Sequence, residues 1–310
     1  MTSTEPAAIC VDWGTTSFRA YLANADGTIA DRVESGPGIL AIAEGHHEAA
    51  LAAAVGGWRD RAGSIPILMS GMIGSRQGWI EAPYARCPAG IAEIAAAMVT
   101  VETARLGPVG LVPGVCGFAA DGAPDVMRGE ETQILGALAG LGRAEASFVL
   151  PGTHSKWARV EAGRIVGFAT YMTGEAFAAL KGHTILGRLM EGAEPDAAGF
   201  ADGVRAAARL PRAGDLLHAI FMTRTLGLFD RLAPRQLSDY LSGLLIGAEI
   251  AAGAGDAGSA FVIGSLALTA RYCAAGEILG LSLSPAPDDC APRGLLALLP
   301  HWRPSVTRSP

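Results

Sequence analysis

The sequence predicts an α/β protein made of two domains with similar topology. Three observations support this prediction: a length of 310 residues, an internal repeat of a strand–turn–strand pattern, and helical apolar stripes that follow each copy of the repeat. A chain of this length is long for one hydrophobic core, so two domains are expected. We place the boundary near residue 145, which gives domains over residues 1–145 and 146–310.

The first copy of the repeat begins with apolar residues 9–11, which predict a strand ending at Asp12. A turn with the sequence W-G-T-T follows, and a second strand begins at Phe18. Glycine in such a turn lets the backbone approach a ligand, so that successive N–H groups can bind a phosphate. The carboxylate of Asp12 is a suitable ligand for a divalent cation. An ordinary tight hairpin is the alternative interpretation.

The second copy lies 138 residues further along the chain, where Gly152 corresponds to Gly14 and Thr153 to Thr15. Each copy then reaches a further turn and a third strand, so the unit is repeated about half a chain apart. Two such hairpins facing each other across a nucleotide cleft are typical of ATPases of the actin/hexokinase type, whose two domains are ribonuclease-H-like. At the fold level this is an analogy, and function must be argued from the site.

Composition excludes several other classes of protein. Apolar residues make up 50% of the chain and charged residues 17%, as in a folded globular protein. A net charge of −6 without a basic patch argues against nucleic-acid binding. The longest charge-free run, residues 106–120, is too short to span a bilayer, so no membrane segment is expected. Five cysteines without a C-x-x-C pattern, and no signal peptide, indicate free thiols in the cytoplasm.

Between the two repeats the pattern predicts alternating helices and strands. A strand over residues 65–69 leads into the loop 70–79, which is dense in functional side chains, and a strand over 109–112 leads into a long loop that reaches Asp125. In the second half, residues 191–214 are small, polar and interrupted by glycine and proline, so we expect an irregular surface segment there.

An acidic residue is expected where a strand of the first domain leads into a helix, because phosphoryl transfer needs a carboxylate to accept the proton of the acceptor hydroxyl. The segment 125–131 (D-V-M-R-G-E-E) lies at such a transition. Glu130 is our candidate for the general base, with Glu131 and Asp125 as the next choices. Alternatively, both glutamates only stabilise the positive end of a helix.

Basic and aromatic residues near these loops are candidates for substrate binding. A guanidinium group suits a planar carboxylate, which makes Arg76 and Arg128 candidates, with ion pairs as the alternative. Trp79 and Tyr84 offer apolar faces to a sugar but are as easily explained by packing.

Other residues are candidates for the nucleotide. His154 and Lys156 follow the second turn and are plausible phosphate ligands. Gly243, Gly247 and Gly264 are candidates for close approach to adenine and ribose, although helix packing is the commoner reason for a glycine within a helix. Glu249 is either a ribose contact or a solvated side chain.

With these segments in view, the chain resembles the 2-dehydro-3-deoxygalactonokinases, a family of sugar-acid kinases. The resemblance rests on blocks that run in order along nearly the whole chain: V-D-W-G-T-T at 11–16, S-G-M-I-G-S-R-Q-G-W at 70–79, E-A-P-Y at 81–84, D-V-M-R-G-E-E-T-Q-I-L-G-A at 125–137, L-P-G-T-H-S-K-W at 150–157, Y-M-T-G-E at 171–175, Y-L-S-G-L-L-I-G-A-E at 240–249 and I-G-S at 263–265. It implies phosphorylation of the C6 hydroxyl of 2-dehydro-3-deoxy-D-galactonate by ATP with Mg²⁺, in galactonate catabolism in the cytoplasm.

The expected site residues follow from these blocks together with the reasoning above. The catalytic candidates are Glu130, Asp12 and Asp125, and Asp12 is also the expected metal ligand. The nucleotide-binding candidates are Gly14, Thr15, Thr16, Arg19, Gly152, Thr153, His154, Lys156, Gly243, Gly247 and Gly264. The substrate-binding candidates are Gly74, Ser75, Arg76, Gln77, Trp79, Tyr84, Arg128, Thr173 and Glu175. The first domain is expected to bind the sugar acid and the second the nucleotide.

One position departs from the wider actin/hexokinase superfamily. Many members have an acidic residue in the second hairpin, whereas the position equivalent to Asp12 is Leu150 here. Metal binding is therefore expected to depend on Asp12 and the nucleotide. The expected partners are a small sugar acid and ATP, with no nucleic acid and no membrane; the oligomeric state stays open, a homodimer included. A kinase for another sugar acid, or a non-catalytic nucleotide-switched module, is the rival interpretation.

Overall fold

The computed structural model describes residues 5–34, 36–119, 121–192, 194–255 and 257–304. The strands are β1 Pro6–Trp13, β2 Phe18–Asn24, β3 Ile29–Val33, β4 Ile67–Ser70, β5 Tyr84–Arg86, β6 Val99–Thr103, β7 Gly107–Leu111, β8 Gly114–Phe118, β9 Pro124–Met127, β10 Ala146–Leu150, β11 Ser155–Glu161, β12 Arg164–Tyr171, β13 Ser259–Val262 and β14 Ser282–Pro285. The α-helices are α1 His47–Ala62, α2 Ile91–Ala96, α3 Glu130–Leu141, α4 Thr173–His183, α5 Ala197–Ala208, α6 Leu216–Leu228, α7 Pro234–Gly253, α8 Leu266–Leu279 and α9 Cys290–Leu298.

A six-stranded mixed sheet contains the first copy of the repeat, in the order β3-β2-β1-β4-β7-β6. β1 pairs antiparallel with β2 and parallel with β4, so Asp12 lies opposite both Arg19 and Ser70. Val11 and Trp13 are buried among the apolar side chains of this sheet and of α1. Asp12 is thus presented at the edge where two parallel strands end, the edge at which open α/β sheets bind ligands.

A five-stranded sheet contains the second copy, in the order β12-β11-β10-β13-β14. In both sheets the three strands of the repeat lie in the order third, second, first, and the next strand pairs in parallel with the first. The predicted repeat of strand, turn and strand is therefore confirmed.

The expectation of a long loop between residue 113 and Asp125 is wrong. β8 and β9 form an antiparallel hairpin there, and β5 pairs in parallel with β8 to complete a three-stranded sheet. Gly114 pairs with Tyr84 of β5, which is distant in sequence, and Gly117 pairs with Asp125 of β9 within the hairpin.

The expectation of an irregular surface segment over residues 191–214 is also wrong, because α5 lies within it. Phe200 and Val204 of α5 are buried against α7. A Cβ atom on Gly203 would lie 2.1 Å from the carbonyl oxygen of Tyr240. The small residues of this segment therefore allow two helices to pack closely.

The chain divides into two compact units. Unit 1 comprises Met1–Ala146, Arg159–Phe168 and Ala286–Pro310, and unit 2 comprises Ser147–Ala158 and Ala169–Pro285. Within unit 1, α9 packs on α3 through glycines: a Cβ atom on Gly136 would lie 1.8 Å from the carbonyl oxygen of Cys290. Across the described ranges, no helix has the length and apolar character that crossing a membrane requires.

Candidate active site

The carboxylate of Asp12 lies at the end of β1, with a side chain that is 15% exposed. Nη1 of Arg19 is 3.6 Å from Oδ2 of Asp12. Burial raises the pKa of Asp12 above its ordinary value; Arg19 opposes this increase, Glu130 adds to it, and a hydrogen bond from Gln133 opposes it. Asp12 and Glu130 therefore form a pair of interacting carboxyl groups, an arrangement that favours binding of a cation.

Two glycines bring the segments that carry these carboxyl groups together. Gly71, directly after β4, and Gly129, directly before α3, have φ angles of 96° and 106°. A Cβ atom on Gly71 would lie 2.7 Å from the carbonyl oxygen of Trp13 and 3.3 Å from Oδ1 of Asp12, and one on Gly129 would lie 3.2 Å from the Cα atom of Gly71. Glycine is needed at both positions because of the positive φ angle and the close approach.

The two glutamates at the start of α3 have different environments. Glu130 is partly exposed, and its Oε2 accepts a hydrogen bond of 2.9 Å from the N–H of Arg128. Glu131 is fully buried; its Oε2 accepts from the N–H of Gly129 at 2.7 Å and its Oε1 from the hydroxyl of Thr132 at 2.9 Å. Burial, with a contribution from Glu130, raises the pKa of Glu131 to about 8. Of the two, Glu130 is the one with solvent access.

Asp125, the third acidic candidate, lies in β9 opposite Gly117 of β8. Its Oδ1 accepts a hydrogen bond of 2.7 Å from the N–H of Val126. Besides burial, the groups that shift the pKa of Asp12 are Arg19, Glu130 and Gln133, so Glu130 is the candidate carboxylate that interacts with Asp12.

Arg128 is buried, with 9% exposure, and its charge is not balanced by an ion pair among the described residues. Nη2 donates to the carbonyl oxygen of Ala82 at 2.9 Å, and the guanidinium carbon lies 4.4 Å from the centroid of the Tyr84 ring. Within the described ranges, Nε and Nη1 of Arg128 and the buried hydroxyl of Ser75 have no hydrogen-bond partner. A Cβ atom on Gly74 would lie 3.2 Å from Nη1. A buried cation with open donors is suited to an anionic ligand.

The side chains in the outer part of the loop 70–79 have different surroundings from Gly74 and Ser75. Arg76 is exposed, and its Nε lies 3.5 Å from a carboxylate oxygen of Glu81, as in the ion-pair alternative. Gln77 is exposed, and Trp79 is partly buried with its ring stacked on His47 at 6.3 Å between centroids. The structure thus groups Gly74, Tyr84 and Arg128, whereas Arg76 and Trp79 have other contacts.

The turn between β1 and β2 is closed by a hydrogen bond of 2.8 Å from the N–H of Gly14 to the carbonyl oxygen of Ser17. Thr15 and Thr16 are exposed at its tip. The carbonyl oxygen of Thr15 accepts from the N–H of Leu40 at 3.3 Å, so the following segment supports the turn from behind.

The turn between β10 and β11 is held by the start of α4. The N–H of Glu175 donates to the carbonyl oxygen of Thr153 at 3.0 Å, and Oε2 of Glu175 is 2.5 Å from Nε2 of His154. Lys156 is buried, and its Nζ donates to the carbonyl oxygen of His154 at 3.1 Å. Thr173 and Glu175, predicted to bind substrate, therefore lie beside residues predicted to bind nucleotide.

Glu249 is neither of the alternatives that the sequence suggested, because its side chain is buried and bonded within unit 2. Oε1 accepts from the hydroxyl of Ser155 at 2.6 Å and from Nε1 of Trp157 at 2.9 Å, and Oε2 accepts from the hydroxyl of Tyr272 at 2.7 Å. This network fixes the start of β11 directly after the turn. No local signal in the sequence links these residues.

The glycines of α7 are explained by helix packing. A Cβ atom on Gly243 would lie 2.0 Å from the carbonyl oxygen of Phe200, and one on Gly247 would lie 2.8 Å from Cβ of Ala207, both in α5. Gly264 lies beside Pro151: a Cβ atom on Gly264 would lie 3.4 Å from Cδ of Pro151.

A cavity of about 280 Å³ opens in unit 2 beside the second turn. Its lining includes Gly152 and Thr173 and the charged residues Lys181, Asp239 and Arg271. Arg271 forms an ion pair with Asp239, and Nζ of Lys181 donates to the hydroxyl of Ser238 at 2.9 Å. The cavity therefore combines a turn that contains Gly152, the start of a helix and basic side chains, which together suit a phosphorylated ligand.

Comparison with known proteins identifies the family. A model of the family described as 2-keto-3-deoxy-galactonokinase matches residues 12–298. The chain belongs to this family. It is 37% identical to a probable 2-dehydro-3-deoxygalactonokinase of Rhizobium meliloti, over 93% of this chain and 94% of the relative. It is 33% identical to the 2-dehydro-3-deoxygalactonokinase of Escherichia coli, over 91% and 94%.

Solved structures confirm the fold. A crystal structure of a candidate 2-dehydro-3-deoxygalactonokinase from Sinorhizobium meliloti superposes with a TM-score of 0.80 at 35% identity, covering 98% of both chains. A candidate N-acetylglucosamine kinase from Porphyromonas gingivalis gives a TM-score of 0.50 at 17% identity, covering 94% of this chain and 98% of the other, and so indicates a shared fold alone. The predicted α/β fold of the actin/hexokinase type is confirmed, as is the family.

Proposed function

We propose that this chain transfers the γ-phosphoryl group of ATP to the C6 hydroxyl of 2-dehydro-3-deoxy-D-galactonate, giving the 6-phosphate and ADP, in galactonate catabolism in the cytoplasm. Membership of the 2-keto-3-deoxy-galactonokinase family over residues 12–298 carries this proposal. The acidic pair of Asp12 and Glu130 supports it, because the reaction needs a metal ligand and a proton acceptor. Unit 1 binds the sugar acid and unit 2 the nucleotide in this assignment.

Glu130 is the general base of the proposed reaction. Its carboxylate is partly exposed and is held by the N–H of Arg128, so it is both accessible and oriented. The C6 oxygen forms a bond to the γ-phosphorus, the bond from this phosphorus to the β,γ-bridging oxygen of ATP breaks, and the hydroxyl proton passes to Glu130. Glu131 does not act as the base, because both its oxygens bind groups within unit 1.

Asp12 is the proposed ligand for Mg²⁺. The residues around it fit a hard cation, since they supply carboxylate oxygens, and burial together with the nearby Glu130 raises the pKa of Asp12, which a bound cation would counteract. Among the described residues, no cluster of three histidines, cysteines or acidic residues could hold a metal. The remaining ligands would therefore be nucleotide phosphates and water, as is usual for Mg²⁺. When bound, the ion neutralises charge that develops on the phosphates.

Arg128 is the proposed anchor for the carboxylate of the sugar acid. Two of its nitrogens are open, Ser75 adds an unpaired hydroxyl, and Gly74 leaves space beside Nη1. Burial makes hydrogen bonds to this guanidinium strong, and a carboxylate supplies the balancing charge. A neutral sugar would leave a buried cation uncompensated, so selectivity for an acid follows from the site.

The cavity of unit 2 is the proposed site for the nucleotide. Gly152 of the second turn and Thr173 and Gly174 at the start of α4 line this cavity, and His154, which follows in the same turn, is oriented by Glu175. Thr173 and Glu175 then act on the nucleotide side rather than on the sugar acid. Gly14, Thr15, Thr16 and Arg19 of the first turn remain proposed phosphate contacts.

A coupled assay of ADP release tests the proposal. We expect turnover with 2-dehydro-3-deoxy-D-galactonate and not with the neutral sugar D-galactose, and proton and phosphorus NMR should show the phosphate on O6. Faster turnover of another 2-keto-3-deoxy acid would correct the substrate. ATP binding without turnover in the presence of every acid tested would support a non-catalytic module and contradict the proposal.

A further inference from the structure

The helix α6 is apolar on two opposite faces. Its inner face, with Ala219 and Thr223 buried and Ile220 partly buried, packs on α7 and its neighbours. Its outer face exposes Leu217, Phe221 and other large apolar side chains to solvent. Large apolar side chains that cluster on a solvent-facing surface usually mark a contact, so the outer face of α6 is expected to be covered in the functional protein.

The exposed residues form one continuous stripe. Leu217 is 78% exposed, Phe221 53% and Leu228 53%, and these three recur at the spacing of one helix face, with Met222, 40% exposed, on the flank of that face. Phe229, the residue that ends the helix, extends the stripe with 76% exposure. Ile185, 45% exposed, is attached to its flank because its carbonyl oxygen accepts a hydrogen bond of 3.0 Å from Nη1 of Arg224.

The size of this stripe matches a small dimer interface. A large side chain offers about 150–250 Å² of surface, so the six exposed fractions amount to roughly 600 Å² of apolar surface on one copy. Two copies joined through it would bury about 1,200 Å², the lower limit for stable interfaces. Apolar patches of this size on a soluble protein usually mark an interaction site.

The distribution of side chains fits a second copy related by a two-fold axis. Between Leu216 and Phe229 there is no acidic residue, and the one cation, Arg224, is bonded to the flank. In an antiparallel pairing of two α6 helices, Leu217 of one copy would face Phe229 of the other. His218 near one end would then approach Asp230 beyond the other end, so the contact is self-complementary.

We propose that the outer face of α6 is the contact between two copies of this chain, which pair through antiparallel α6 helices about a two-fold axis. This inference concerns unit 2 alone and is independent of the kinase assignment. It assigns a role to six exposed apolar residues that belong neither to the site around Asp12 and Glu130 nor to the cavity of unit 2.

Sedimentation velocity of the full chain at about 100 µM tests the proposal, because interfaces of about 1,600 Å² have dissociation constants in the micromolar range or below and this concentration leaves a margin for a smaller one. We expect a species of twice 31.7 kDa. Leu217→Glu with Phe229→Glu should give a monomer with an unchanged circular dichroism spectrum. Leu266→Glu, at a leucine 91% exposed on α8, is the matched control and should leave the dimer intact.

A milder variant keeps the test decisive if the double glutamate variant fails to fold. Phe221→Ala should raise the dissociation constant of the dimer by about ten-fold, as expected for an apolar contact near the centre of the interface. A wild-type monomer at this concentration would overturn the proposal, whether or not the face then binds vesicles or another protein. A dimer unaffected by both sets of α6 variants would also overturn it.

Discussion

The two strand–turn–strand units have the same strand order but different side chains at equivalent positions. The first strand of one unit ends at Asp12, whose carboxylate lies near that of Glu130. The equivalent position of the other is Leu150, which is buried. Its turn is supported instead by Glu249, which accepts hydrogen bonds from three side chains inside unit 2.

This difference separates two uses of a carboxylate. Near the first turn, carboxyl groups remain partly exposed and interact with one another, so they are available for a cation and a proton. Beneath the second turn, the carboxylate of Glu249 is used to bind side chains of β11 and α8, which fixes the strand that follows the turn. The repeat thus supplies one turn suited to chemistry and one suited to binding, and substitutions should affect different kinetic constants in each.

The largest expected effect is at the first turn. Asp12→Asn should reduce magnesium-dependent turnover on the order of 10⁴-fold, because the charge stabilisation that a metal supplies is worth several kcal/mol. Steady-state kinetics with a titration of Mg²⁺ measures it. Asp26→Asn, at the exposed turn between β2 and β3, is the control and should retain activity within about two-fold. Equal activity of the two variants would contradict the metal assignment.

Glu130→Gln should lower kcat by about 10²-fold or more while leaving the KM for ATP unchanged, because the proton acceptor is lost and binding is retained. Glu131→Gln is the matched control. The carboxyl group of Glu131 is protonated near neutral pH, since its pKa is raised to about 8, so a neutral amide replaces it with little change. If Glu131→Gln lost more activity than Glu130→Gln, the base would be assigned to the wrong residue.

Arg128→Met should lower kcat/KM for the sugar acid by about 10²-fold, since charged hydrogen bonds are worth roughly 1.5–3 kcal/mol each. The loss should appear mainly in the KM for the acid. Arg76→Met, which removes an exposed ion pair with Glu81, should change kcat/KM by less than about three-fold. The reverse ranking would move the carboxylate site to Arg76.

At the second turn, Glu249→Gln should raise the KM for ATP by about ten-fold with a small change in kcat, because an amide cannot accept all three hydrogen bonds. Glu277→Gln, an exposed residue of α8, is the control. Isothermal titration with a non-hydrolysable ATP analogue separates this effect from a loss of folded protein. A drop in kcat with unchanged nucleotide affinity would contradict the supporting role.

The smallest expected effect concerns stability. Glu131 has a pKa raised from about 4.5 to about 8 by burial, so between these values the folded protein holds a proton that the unfolded chain has released. Its contribution to the free energy of unfolding is therefore full below pH 4.5 and is lost as the pH rises to about 8. Thermal midpoints should fall over this range, and fall less in Glu131→Gln. Parallel curves for the two proteins would contradict the raised pKa.

Much of the fold could be predicted because it depends on local patterns. The repeat was visible in the matched turns at Gly14 and Gly152, and the strands β1 and β10 were visible as apolar runs. The hairpin of β8 and β9 was missed because its stability comes from pairing with β5, about thirty residues earlier. The helix α5 was missed because small residues indicated a surface, whereas they serve close contact with α7.

The part of the candidate site that lies at the ends of strands could be predicted from the sequence. Asp12 and Glu130 were identified from the transitions that carry them, and the structure brings them within electrostatic range. Arg128 and Arg76 differ in burial, because Arg128 is buried and Arg76 is exposed. The sequences of the two loops do not indicate this difference. The role of Glu249 depends on partners more than twenty residues away in every case, so no local pattern indicated it.

A crystal structure with a non-hydrolysable ATP analogue and 2-dehydro-3-deoxy-D-galactonate bound together tests the central claim most directly. We expect the C6 hydroxyl oxygen to lie about 2.6–3.2 Å from a carboxylate oxygen of Glu130, with the substrate carboxylate on Arg128. A C6 hydroxyl directed at another side chain, with Glu130 out of reach, would contradict the assignment of this glutamate as the base.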